Sequence, residues 1–264
     1  MVSQARPAPD TEWSRLAGRA ALVAAVSLVA TTLLYLLDAL DLLGSSPTFR
    51  RTGHGELADQ ARFFADFFNH QHHLWWDIGL RDVLGPLGYL SLVLVSLALA
   101  NVWGWRLPRV QLGLAAFAFG AVFATVNSLI YLGELNYWRH GGWTDSPAFS
   151  MVAIARAAEG IDHLTVYPEA FGFVLLAAGF AWLASAGHRL GRLGTTAHRV
   201  CQAEAVVLLL LVVCSVTGFD PGYDVTALLA GVVLGPWAAI ALARSTRDAP
   251  VEAPEPQAAR PGAG

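Results

Sequence analysis

Residues Ala20–Leu37 read AALVAAVSLVATTLLYLL, eighteen positions without a charge. A bilayer's hydrocarbon core takes about 20 predominantly apolar residues to cross as helix. A helix on the surface of a soluble domain would carry a polar stripe, and none is present here. Arg15 and Arg19 precede the run, and Asp38 and Asp41 follow it. A secretory signal would have a shorter apolar core and end at small residues suited to cleavage. This run ends in acids, so it reads as a retained first membrane span.

Five further runs have the same character. The expected spans are 18–40, 83–105, 110–134, 167–187, 200–219 and 225–243. The expected fold is therefore an all-α integral membrane protein with about six transmembrane helices, and its necessary partner is the lipid bilayer. Residues 1–14 read as a disordered start, 15–244 as the membrane domain, and 245–264 as a disordered cytoplasmic tail rich in Pro and Ala. Composition agrees: of 264 residues, 55% are hydrophobic and 14% charged, with a mean hydropathy of +0.48. A soluble chain carries about 25% charged residues.

All 17 basic residues are Arg, so every positive-inside vote is cast by that residue. The short turns near Arg106 and Arg109, and near Arg189, Arg192 and Arg199, are basic. The short turn near Asp220 and Asp224 holds no Arg. Short loops decide orientation. They put both termini in the cytoplasm of a plasma (inner) membrane protein and make the outer face acidic. Trp103 and Trp105 suit an interfacial aromatic belt.

Both long loops are then outer. In the first, Phe63, Phe64, Phe67 and Phe68 recur on one helical face, which predicts an amphipathic helix in the outer interface. The second contains a helix-like stretch from Phe149 to Ala158, expected to end at Gly160. The fourth span is expected to start near Pro168, where a first-turn proline costs nothing.

The spans hint at a tandem helix-hairpin repeat. Thr31, Thr32, Tyr35 and Asp38 match Asn127, Ser128, Tyr131 and Glu134 in order. Gly88-Tyr89 matches Gly172-Phe173, and Arg106–Arg109 matches Arg189–Arg192. Parallel repeats are a known membrane-protein plan, with sites near their interface.

Residues able to carry chemistry gather on the outer side. Asp38 and Glu134 sit at matching helix ends, each three residues after a tyrosine. His54, His70, His72, His73, His140 and His163 are outer, and His70 and His73 share a face. Glu159 and His163 are four apart. Imidazole with carboxylate suits Zn²⁺, Cu²⁺ or iron, but no HExxH or CxxCH occurs, and no histidine lies at mid-membrane for a haem. Cofactor and metal thus stay open. Glu169 is expected in the first turn of the fourth span, where the helix dipole favours a carboxylate.

Glu204 differs from these. It lies about a turn inside the inner membrane edge, and an ionisable residue at membrane depth is a functional candidate. Cys201 and Cys214 fall on one helix about 20 Å apart, too far for a disulfide. Gly231 and Gly235 form a GxxxG face open to a neighbouring helix of this chain or of a protein partner. Pro236 after it predicts a kink.

No P-loop, GxGxxG or GxSxG is present, and no basic stripe for nucleic acid. Three function classes stay open: a small proton- or cation-coupled transporter, a redox or metal-binding membrane component, and an assembly subunit. In each, the outer face is the expected functional surface, formed by Asp38, His70, His73, Glu134, Glu159, His163 and Glu169. Glu204 is the intramembrane alternative.

Overall fold

The computed structural model describes residues 9–45, 47–53, 55–139 and 147–247. Six stretches are helices long and apolar enough to cross a membrane: Thr11–Ala39, Trp75–Trp103, Pro108–Gly133, Val166–Arg189, Thr195–Thr217 and Asp220–Arg244. The chain is an all-α multi-pass membrane protein. Its elements are α1 (Pro9–Ala39), α2 (Glu56–His73), α3 (Trp75–Trp103), α4 (Pro108–Arg139), α5 (Ala148–Arg189), α6 (Thr195–Thr217), α7 (Asp220–Leu228), a π-helical segment (Leu229–Leu234) and α8 (Gly235–Arg244). α7, the π segment and α8 together make the sixth span.

Helix association in lipid relies on close packing and small residues, because tails and side chains are equally apolar. The bundle follows that rule. On α1, Ala17, Ala20, Ala21 and Ala24 are buried in one core with Leu92, Val95 and Leu99 of α3. Between α4 and α5 the small residues are glycines: a Cβ at Gly113 would collide with Leu183, and one at Gly120 would stand 3.0 Å from Leu176. The rings of Phe117 and Phe180 meet edge-on at 4.9 Å in the same interface.

These contacts keep the register of the sequence repeat. α1 maps onto α4 with a shift of 131 − 35 = 96, and α3 onto α5 with 173 − 89 = 84. Gly88 of α3 packs on Leu28 of α1, and Gly172 of α5 packs on Ala124 of α4; both members of the pair shift as the repeat requires. Tyr89 and Phe173, equivalent positions, meet each other with ring centroids 6.2 Å apart. Two elements related by an approximate two-fold axis touch in this way at the axis.

The chain ends lie together at one face of the bundle. Ser14 Oγ donates to the Thr246 carbonyl at 3.0 Å. Trp103 is buried there and donates to the Ser245 carbonyl at 3.5 Å, instead of joining a lipid-facing belt. Trp105 remains exposed.

Several boundaries differ from the sequence expectation. α1 begins at Pro9, inside the stretch read as disordered. α3 begins at Trp75, eight residues earlier than the expected 83, and includes Asp77, Arg81 and Asp82. Gly160 does not end a helix. α5 runs unbroken for 42 residues through Gly160 and Pro168, about 63 Å long. Its first 18 residues, Ala148 to Thr165, precede the apolar span and project about 27 Å beyond it. An interior Gly costs only about 1 kcal/mol of helix propensity, which packing offsets. That packing comes from α2: Phe64 and Phe68 are buried against Met151 and Ala155, and the Arg156 guanidinium lies over the Phe64 ring at 5.9 Å. The aromatic face of α2 is thus turned partly onto protein, while Phe67 stays exposed.

Candidate functional site

A cavity of about 420 Å³ lies among α1, α3, α4, α5, α6 and the sixth span. Its outer mouth is bounded by Gln71 of α2, Arg81 and Asp82 of α3, and Tyr131 of α4. From there it reaches Glu204 on α6. Glu204 is nine residues into a helix that starts at Thr195, about 14 Å along its axis. It therefore sits near mid-membrane, deeper than the single turn expected from the sequence.

The mouth is organised by charge. Arg81 Nε is 3.4 Å from Asp77 Oδ2, one turn earlier on α3, and Arg81 Nη2 is 3.4 Å from Asp38 Oδ2 of α1. The Asp77 side chain has no exposed surface, so Arg81 is its necessary counter-ion. Tyr35 donates to Asp224 Oδ1 at 2.9 Å, tying α1 to α7. The Tyr35 and Tyr223 rings stand edge-on at 5.8 Å.

Below the mouth come the acids. Asp82 accepts a hydrogen bond from Ser128 of α4, while its buried Oδ2 has no hydrogen-bond partner. Pro86, one turn on, lies inside the helix and cannot offer an N–H to the Asp82 carbonyl. Glu169 accepts from Asn127 Nδ2 at 3.1 Å. It lies in the middle of α5, not in a first turn, so the helix dipole does not account for it. Tyr89 lies within electrostatic reach of both Glu169 and Glu204, and Tyr223 within reach of Glu169. Tyrosines thus link the outer acids to the deep one.

Glu204 is 3% exposed, and its Oε2 has no hydrogen-bond partner. It faces the π segment. A Cβ at Gly235 would stand 3.2 Å from Glu204 Oε1. The widened turn is visible in the bond from the Gly235 N–H to the Ala230 carbonyl, five residues back. π-Turns inside α-helices occur frequently at functional sites. The GxxxG face is occupied within the chain: Gly231 packs directly on Thr32 of α1, and Gly235 on Glu204. It is not left free for a partner helix.

Only part of the expected outer-face site comes together here. Glu169 and Glu204 line the cavity, and Asp38 reaches its rim through Arg81. His70 and His73 do not join them. His70 lies beside Gly44, its Cε1 3.5 Å from where a Cβ there would be. His73 is exposed, with Nδ1 2.6 Å from the Asn69 carbonyl. Glu134, Glu159 and His163 fall on α4 and α5, and their side chains lie outside the described residues, as do His54 and His140. Among the described residues no three His, Cys, Asp or Glu side chains converge to hold a metal.

Asp77, Arg81, Asp82, Tyr89 and Tyr223 are the site residues that the sequence reading missed. The signal was present for two of them: Asp77 and Arg81 are spaced i, i+4, as an ion pair on one helical face requires. Cys201 and Cys214 are both free thiols on α6. No known protein family, curated protein or solved structure matches this chain.

Proposed function

We propose that the chain is a small transporter of the plasma membrane, that it loads from the outer side, and that ionisation of Glu204 couples to substrate movement. Both termini are cytoplasmic in this reading, as the Arg-rich turns require. The observation that carries it is Glu204: a carboxylate near mid-membrane, almost fully buried, with an unpartnered oxygen on the wall of a cavity that begins at the outer mouth.

An unpaired charge in such surroundings is costly to keep. A structural carboxylate would be hydrogen-bonded. One that must alternately hold and release a proton or a cation cannot be tied to a fixed partner. Transporters commonly place substrate and coupling sites near the midplane, next to irregular helix turns, and the π segment is such a turn. The outer acids Asp82 and Glu169 supply a graded negative path to it.

The test uses purified protein in liposomes holding a pH-sensitive dye. External pulses of sodium, potassium, amino acids, sugars and amines are applied in turn. At least one solute is expected to evoke a proton flux in the wild type that is lost in Glu204→Gln and retained in the surface control Glu12→Gln. A wild type silent to the whole panel, or a response unchanged in Glu204→Gln, would refute the reading.

A further inference from the structure

We infer that the cavity's ligand is an organic ammonium ion with an apolar body, bound with its charge on Glu204. The inference rests on the transport reading of the same cavity and names the substrate class.

Size comes first. A cavity of about 420 Å³ falls in the range of small-molecule sites, roughly 300–1,000 Å³. A proton needs none of that space, and a water-sized ion needs only about 30 Å³ of it.

Charge comes second. Asp82, Glu169 and Glu204 line the cavity, against a single cation, Arg81. Arg81 is held by Asp77 and Asp38, each at 3.4 Å, so its charge is already answered. Anionic substrates would meet like charge throughout. A cation would meet an unpartnered oxygen at Asp82 Oδ2 near the mouth, and another at Glu204 Oε2 at depth.

The walls decide between a metal ion and an organic cation. Around the deep half stand Tyr89, Phe173, Phe180 and Tyr223, with Leu176 and Leu208. Metal cations such as sodium or calcium want a shell of oxygens, which these side chains do not offer. Aromatic faces bind ammonium groups through their negative π-clouds, by about 0.5–2 kcal/mol each, and they bury an attached hydrocarbon body. One carboxylate within an aromatic and aliphatic chamber is the complement of a monovalent, partly hydrophobic ammonium ion.

The experiment is calorimetric titration of the detergent-purified protein with benzyltrimethylammonium. Benzyl alcohol and benzenesulfonate serve as neutral and anionic counterparts. The cation is expected to bind, and the other two are not. Glu204→Gln is expected to weaken binding at least tenfold. Because that variant could misfold, Tyr89→Leu and Tyr89→Phe are run beside it. Loss of the ring should weaken binding severalfold, and the Phe variant should retain it.

Equal binding of cation and alcohol would overturn the inference, as would unchanged affinity in a folded Glu204→Gln or in Tyr89→Leu. The two proposals fail separately. Ammonium binding without any solute-evoked flux would leave the ligand class standing and sink the transporter reading. A flux evoked by sodium or a sugar, with no ammonium binding, would do the reverse.

Discussion

Two glycines on α5 offer a direct test of how the bundle is held. At Gly160 a Cβ would meet nothing within 4 Å. Replacing a helical Gly by Ala there should gain about 0.8–1 kcal/mol from propensity alone. At Gly172 the same Cβ would stand 2.9 Å from Ala124 Cα, 3.0 Å from its Cβ, and closer still to its backbone nitrogen. Restoring ordinary contact at about 3.4 Å requires α4 and α5 to part by at least 3.4 − 2.9 = 0.5 Å. The obstructing atoms are backbone, so no rotamer change relieves them. Parting the helices would also loosen the contacts of Gly113 with Leu183 and of Gly179 with Phe117. Overpacking of this kind costs about 1–3 kcal/mol, and rigid backbone contact points to the upper end. After subtracting the propensity gain, Gly172→Ala should lose about 2 kcal/mol. The two variants should therefore differ by about 3 kcal/mol. Equilibrium unfolding in mixed dodecyl maltoside and SDS micelles, followed by tryptophan fluorescence, measures the difference. A Gly172→Ala protein as stable as Gly160→Ala would refute the packing argument.

Two other perturbations address the mouth and the repeat. Arg81→Met leaves the fully buried Asp77 without its counter-ion, and should destabilise by about 3–5 kcal/mol; the double variant Asp77→Asn/Arg81→Met should recover most of that loss in the same unfolding assay. The pair Asn127→Thr/Glu169→Gly converts one hairpin to the residues of its repeat equivalent, Thr31 and Gly85. It should fold, losing about 1 kcal/mol for the added helical Gly, yet fail to respond in the liposome assay.

The fold was legible because uncharged runs of about 20 residues have one structural outcome in a bilayer. Glu204 was legible for the related reason that a charge inside such a run is conspicuous. Its depth was misread because Thr195–Arg199 is polar and looks like a loop, although it forms the first turns of α6. Asp82 was missed for the same cause in the opposite direction. Arg81 and Asp82 look like charges that mark a membrane edge, whereas α3 continues past them to Trp75 and holds Asp82 against Ser128. Hydropathy marks where a span is apolar. It does not mark where the helix starts, and a polar cavity inside a bundle hides in that difference. The histidines misled because their clustering is sequential. His70 and His73 sit on α2, which packs against the α5 projection and turns only Gln71 toward the cavity.

The repeat accounts for how such a cavity arises in so small a bundle. Two hairpins related by an approximate two-fold axis present equivalent surfaces to each other, and the Tyr89–Phe173 contact marks where they meet. Equivalent positions there are not chemically equal. In the first hairpin Gly85 rests on Thr31, 3.7 Å from its methyl group. In the second, Glu169 accepts from Asn127 at the same register. Tyr89 is a phenol where Phe173 is not. The backbone arrangement is repeated while polarity is concentrated on one side of the axis, which gives the cavity a direction. α6 and the sixth span have no counterpart in the repeat, and they contribute its deepest group, Glu204, facing a turn widened just ahead of Pro236. Two hairpins thus supply a repeated frame, and the added pair of spans supplies the carboxylate that makes its centre reactive to charge.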